Sequence, residues 1–446
     1  MNYDEDEDNS EFESVKIKST EWAVARYVAS KLYIEEGMRI PSWTGFFKLF
    51  EEHSTSKASV GYLPPFTSSP TEMGVIHAII DRALIIIEEL GLEKMFLEVD
   101  QAIYAKVLDA MFKMDADGSD IFTKLIPRMG GFHLTMCMLK TIYSRFKDSG
   151  LITWLVYSGC GGEGTITNAL KGGDVKHAIQ LHKMMYEAIM RSKIDYLVEN
   201  GKFQFNEDEI QGLLEEYLEK DPESRDSEYI REQLRSKIPD IPSLKEGMGG
   251  YLELYLEMVD LLLTTIHCQR TSNWDGYLQC IKQFLPYCFT HNRHNYARNL
   301  SYCYVHMKTL KEDHLDLYNE ILLHGFTVSL TGEPFTKIPC DQVIEMTVNR
   351  ASKSTGGLSG KTENVGASER WMKINHLLAA MRDKLDDVTR KRSYVSHVDF
   401  GKKRWETEEN DIQTMKKTLD DWVPNLWNKE QEIINIATGN KFVIEH

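Results

Sequence analysis

Along most of the chain, apolar residues recur every three to four positions, the spacing that lays one apolar stripe along an α-helix. Over residues 21–36 the stripe is Trp22, Val24, Ala25, Val28 and Leu32, and Pro41 closes the segment because proline cannot continue a helix. Tyr62-Leu63-Pro64-Pro65-Phe66, followed by Ser68, Ser69 and Pro70, predicts an extended linker, with Thr71 capping the next helix. Residues 74–92 form the most apolar stretch. Asp81, Arg82, Glu88 and Glu89 interrupt it, so it predicts a buried amphipathic helix and not a bilayer span. Helical spacing returns over residues 251–267, 274–287, 295–310 and 369–390, and the last fifty residues predict a charged helix ending at Trp422, Pro424 and Trp427.

Two short apolar runs break this rhythm. Met95-Phe96-Leu97-Glu98-Val99-Asp100 is followed at once by a helical run over 102–114, and Leu125-Ile126-Pro127-Arg128-Met129 passes through Gly130-Gly131 into a helical run over 132–146. Two strand-turn-helix units predict a small α/β core between residues 61 and 190. Before it lies an N-terminal helical segment, 17–60, and an acidic head, 1–16, whose like charges and lack of apolar residues predict disorder. After it, residues 191–250 carry many Glu, Lys and Asp, with Leu213, Leu214, Tyr217 and Leu218 at helical spacing and a break at Pro239 and Pro242. This predicts a charged helical insertion with a solvated face. Residues 251–390 then form a helical C-terminal part of the core and 391–446 a helical tail. Residues 325–330 read as a strand and 352–366, with Gly356, Gly357, Gly360 and Gly366, as a loop; no internal repeat is visible. The expected class is α+β, predominantly α-helical, with a large helical insertion.

With 446 residues and eight tryptophans the chain can bury a substantial core without staples. Its seven cysteines are odd in number and lack pairing spacings, which favours a reducing compartment. The cluster Asp4 to Asp8 is the opposite of a secretion signal. An intracellular protein, nuclear or cytoplasmic and without a membrane anchor, is expected. A net charge of -16 disfavours broad attraction to nucleic acid, although a local basic surface is compatible with it.

Asp100 ends the first strand, where a carboxylate either binds a metal or acts as a base in a crevice, or simply caps the following helix. Gly130-Gly131-Phe132-His133 puts a histidine one turn past the second strand, so His133 faces the same crevice as Asp100 if the strands are neighbours; otherwise it is a histidine satisfied at a helix start. Asp341 and Glu345 lie four apart on one predicted helix face, either joining Asp100 around a divalent cation such as Mg²⁺ or Mn²⁺ or favouring the helix dipole. Cys288, His291, His294, Cys303 and His306 fall within twenty residues, but their spacing matches no zinc pattern and they read as helix residues. No P-loop and no Gly-x-Ser-x-Gly elbow is present.

Several segments, in order across residues 60–375, resemble a transposon-encoded, transposase-like protein family of invertebrates such as cnidarians and echinoderms. They are Tyr62-Leu63-Pro64-Pro65-Phe66 with Pro70-Thr71, Val99-Asp100-Gln101-Ala102-Ile103-Tyr104, Met129-Gly130-Gly131-Phe132-His133 and Asn295-Tyr296-Ala297-Arg298. Further along come Asp341-Gln342-Val343-Ile344-Glu345 with Asn349, Ser352 to Gly360, and Arg370-Trp371. The resemblance implies a ribonuclease-H-like core in which acidic residues hold two metal ions for DNA cleavage and strand transfer. Asp100 would then be a strand-end ligand and Glu345 a helix-borne one. Longer members carry an upstream Asp-Asn-x-Asp-His-Asn-like motif that supplies the first ligand, and nothing in residues 1–60 resembles it. The expectation is therefore a shortened, inactive remnant without a cofactor, or, if active, a Mg²⁺- or Mn²⁺-dependent nuclease with DNA as its partner. The alternative is a non-enzymatic helical protein-interaction module.

Overall fold

The computed structural model describes residues 19–31, 40–50, 56–64, 66, 68–219, 227–349, 365–389 and 402–441; the acidic head and most of the glycine-rich stretch 352–366 lie outside them. Helices dominate the described residues, with one two-stranded sheet made of β1 (Met95–Val99) and β2 (Leu125–Met129). The strands pair in parallel, from Met95 opposite Leu125 to Val99 opposite Met129. A parallel pair requires a crossover, which the helix Gln101–Ala116 and the short turn Ile121–Lys124 supply. Pro127 is tolerated because a two-stranded sheet leaves each strand an open side where no N–H is needed. The class is α+β and predominantly helical.

Glu98 and Arg128 face one another in this register and form a buried ion pair. Arg128 also donates to the carbonyl of Phe326 at 3.0 Å, and its guanidinium lies against the rings of Phe96 and Phe326. A charge here is held by a carboxylate, a carbonyl and two aromatic faces, the conditions under which burial is tolerable.

The centre of the molecule is the helix Val175–Glu199, buried without interruption from Leu181 to Ile194. A helix buried on all sides is ordinarily apolar. This one carries Glu187, Arg191 and Lys193 inside because each has a partner. Arg191 bonds Glu187 one turn earlier and both oxygens of Glu409, at 2.5–2.8 Å. Arg26 reaches Glu187 at 2.8 Å and Glu409 at 3.5 Å, and Lys193 reaches Glu253 at 2.6 Å. Residues 19–31 and the helices Gly247–Thr271 and Lys402–Trp422 thereby clasp the central helix.

Several expectations change as a result. The domain boundary drawn at 190 falls inside the central helix. The expected tail contributes Ile412, Met415 and Leu419 to the main core, because these residues of Lys402–Trp422 recur at three- and four-residue spacing along one face. Likewise Ile210, Leu214 and Leu234, from the charged stretch 191–250, enter the core. Thr71 does not cap the helix Met73–Leu90; Glu72 holds that position, with no side-chain cap. The strand expected over 325–330 reduces to one antiparallel bridge, Val328 with Ile338.

Candidate functional site

Both strands end at one level, and each passes directly into a helix, β1 through Asp100 into Gln101–Ala116 and β2 through Gly130 into Gly131–Phe146. Asp100 occupies the N-cap position with extended backbone, yet its side chain makes no capping hydrogen bond. It turns instead to His133, with Oδ1 3.1 Å from Nδ1. Asp341, in the first turn of the helix Cys340–Ile344, reaches the same place from far along the chain. Its Oδ1 accepts the Phe132 N–H and its Oδ2 the His133 N–H, both at 3.0 Å, and Oδ2 lies 2.9 Å from His133 Nδ1. A carboxylate against the free amides of a helix start is favoured by both hydrogen bonding and the helix dipole. Gly130 makes the approach possible, since a Cβ there would stand 2.2 Å from Asp341 Oδ2.

The backbone N–H of Asp341 donates in turn to Glu98 Oε1 at 3.1 Å. A continuous polar chain therefore runs from Arg128 through Glu98 and Asp341 to His133 and Asp100. Glu345 opens the π-helical turn Glu345–Asn349 and accepts a hydrogen bond from Asn349 Nδ2 at 2.7 Å. Its charge acts on Asp100 and His133 alike. The hydroxyl of Tyr296 donates to the His133 carbonyl at 3.2 Å and ties the helix His294–Lys308 to the site.

The hydrogen bond to Asp341 raises the basicity of His133 above that of an ordinary histidine; burial opposes it, and the charges of Asp100, Asp341 and Glu345 add to it. Burial alone would push the Asp341 carboxyl up, but the imidazole and the two amides outweigh it and hold the group below the usual carboxylate range. Asp100 goes the other way, raised by burial and by its acidic neighbours despite the pull of His133. These directions favour the protonated ring of His133 and the ionised form of Asp341, and work against the ionised form of Asp100.

The four residues singled out in the sequence, Asp100, His133, Asp341 and Glu345, are thus neighbours, with His133 at their centre. As a cation site the donor set is compromised. Asp341 spends both oxygens on amides and imidazole, and the imidazole nitrogen takes the position from which a metal would address Asp100 and Asp341 together. Among the described residues no group of three or more His, Cys, Asp or Glu side chains is arranged to hold a metal ion. The residues present do not fit a resident metal without moving His133. Cys288, His291, His294, Cys303 and His306 do not converge either. Cys288 is buried beside Cys137 in the neighbouring helix, while His291 Nδ1 lies 3.1 Å from the Tyr287 carbonyl of its own helix. All seven cysteines are free thiols.

Glu98 and Arg128 were not expected at the site. Aligning the two strand-turn-helix units would have revealed them, because each is the fourth residue of a five-residue strand. Tyr296 lay within a motif of the resemblance but carried no role.

No helix among the described residues is long and apolar enough to cross a membrane. No curated protein matches the chain, and no solved structure does. The model of one family, a domain of unknown function (DUF8702), matches residues 42–442, and the chain belongs to that family.

Proposed function

We propose that the chain is a transposase-derived protein, the remnant of a ribonuclease-H-like nuclease and strand transferase, that no longer cleaves DNA. The observation that carries this reading is the ring of His133 lying within 3.1 Å of both the Asp100 and the Asp341 carboxyl groups, where two parallel strands end. Carboxylates at the carboxyl edge of parallel strands are suited to cation-assisted phosphodiester chemistry. Here a tethered imidazole stands where such a cation would sit. A divalent ion would have to displace the imidazole from both carboxylates and compete with two amides for Asp341.

The two parallel strands with their following helices are the part of a ribonuclease-H-like core that this reading draws on. Mg²⁺ or Mn²⁺ would belong only to an active form. An intracellular location goes with the reading, supported by the seven free thiols. The test is incubation of the purified chain with supercoiled and linear DNA in Mg²⁺ or Mn²⁺. No cleavage above background is expected, and robust cleavage abolished by Asp100→Ala would overturn the proposal.

A second reading, a helical protein-interaction module, is favoured by a separate observation. On the helix Val365–Thr389, Ile374, Leu377, Leu378 and Met381 are 39–59% exposed at three- and four-residue spacing, an apolar stripe of the kind that packs against another helix. Sedimentation of the chain and of a Leu378→Asp variant tests it. A monomer at every concentration in both would remove its support.

A further inference from the structure

A cleft of about 400 Å³ opens beside His133, between the helices Gly131–Phe146 and His294–Lys308. Its walls are fixed at two points. Arg293 Nη2 donates to the Lys140 carbonyl at 3.0 Å, and the Tyr296 hydroxyl donates to the His133 carbonyl at 3.2 Å. No Asp or Glu lines it, whereas Lys140, Arg293 and His294 do. In a protein of net charge -16, a basic lining without a carboxylate runs against the composition.

Among the described residues the guanidinium of Arg293 is anchored by one nitrogen, Nη2. Its Nε is buried and makes no hydrogen bond among the described residues, and a desolvated cationic N–H without an acceptor is costly. The same corner holds the start of the 15-residue helix His294–Lys308, where among the described residues no side chain caps the first turn. Its first amides therefore remain available as donors. Asn292 adopts a left-handed backbone, φ 55°, which turns the chain sharply into that start.

We infer that this cleft binds a phosphoryl oxyanion, held by Arg293, Lys140 and the first amides of the helix His294–Lys308. A guanidinium edge, an ammonium and backbone amides arriving from different directions suit a group with several acceptor oxygens better than a planar carboxylate. The volume exceeds what one phosphate fills and leaves room for the organic group that bears it. Two sources share this chemistry, a small phosphate ester and the backbone of a nucleic acid. Binding here requires no cleavage, so the cleft stands apart from the reading of the acidic cluster.

The test uses the whole chain at low ionic strength, titrated calorimetrically with inorganic phosphate, with chloride at matched ionic strength as reference, and with a single-stranded oligodeoxynucleotide. Phosphate binds above the chloride reference, and Lys140→Gln, at an exposed position where folding is not at stake, weakens it about tenfold, as loss of one charged hydrogen bond does. Arg293→Gln weakens it at least as much. Competition between oligonucleotide and phosphate identifies a nucleic-acid backbone as the source; phosphate binding unaffected by oligonucleotide identifies a small ester. Either outcome supports the site. Phosphate heat no greater than the chloride reference, or binding unchanged in both variants, would overturn it. DNA cleavage scored in parallel bears on the remnant reading alone.

Discussion

Replacing Asp341 by alanine removes three interactions at once: the acceptors of the Phe132 and His133 amides and the partner of the His133 ring. A hydrogen bond to a charged group contributes about 1.5–3 kcal/mol, and the three share one carboxylate, so they do not add. Water can reach His133, which is partly exposed, and this softens the loss. We expect Asp341→Ala to lower the unfolding free energy by about 3 kcal/mol near pH 5.5.

The pH dependence has a definite sign. His133 is more basic in the folded than in the unfolded chain, so its contribution is full below 6.5, the ordinary histidine value, and fades as pH rises through the folded value. Asp341 is more acidic when folded, so its contribution is present above 3.8 and fades as pH falls through the folded value. The pair is therefore worth most between these limits, and the cost of Asp341→Ala should fall to about 1–2 kcal/mol once the pH has risen through the folded value of His133 and its imidazole is neutral. Denaturant titrations of both proteins at pH 5.5 and above the His133 titration, which its ring proton reports by NMR, measure the difference. A cost below about 0.5 kcal/mol at pH 5.5, or one that grows with pH, would refute the reasoning.

Three further outcomes follow from other places in the fold. Arg191→Met leaves Glu409 and Glu187 buried with one guanidinium between them and should cost about 3–5 kcal/mol, seen as a large drop in melting temperature. His182 is fully buried against the Tyr255 hydroxyl at 2.8 Å, and burial pushes its pKa down to about 3. Its neutral form is favoured by folding, so stability is lost as pH falls below 6.5, by about 1.4 kcal/mol per unit. His182→Gln should flatten that slope between pH 6.5 and 4.5, and an unchanged slope would count against the assignment. Gly130→Ala drives a methyl into the Asp341 carboxylate and should shift the His133 titration toward 6.5 with the helices retained by circular dichroism.

What the sequence could convey was local. The two strands were legible because each is a brief apolar run ending in Asp or Gly and handing over to an amphipathic helix, and the Asp100 and His133 pairing followed from placing those ends side by side. Asp341 was placed on a helix face with Glu345, but its actual bonds lie 208–209 positions back along the chain, where no spacing rule reaches. The central helix misled for a related reason. Arg191 and Lys193 were read with the charged stretch 191–250, and only the arrival of Glu253 and Glu409 from elsewhere makes their burial tolerable. Tertiary partners decide such cases, and periodicity carries no information about them.

The pairing around the central helix also constrains how this molecule can lose parts. Arg26, Glu187, Arg191 and Glu409 come from three segments, and their charges cancel only when all three are present. A chain lacking the helix Lys402–Trp422 would enclose two guanidinium groups with Glu187 alone, an electrical imbalance in a dry interior. A chain clipped before Lys402 should therefore be cleaved faster in limited proteolysis than the whole chain.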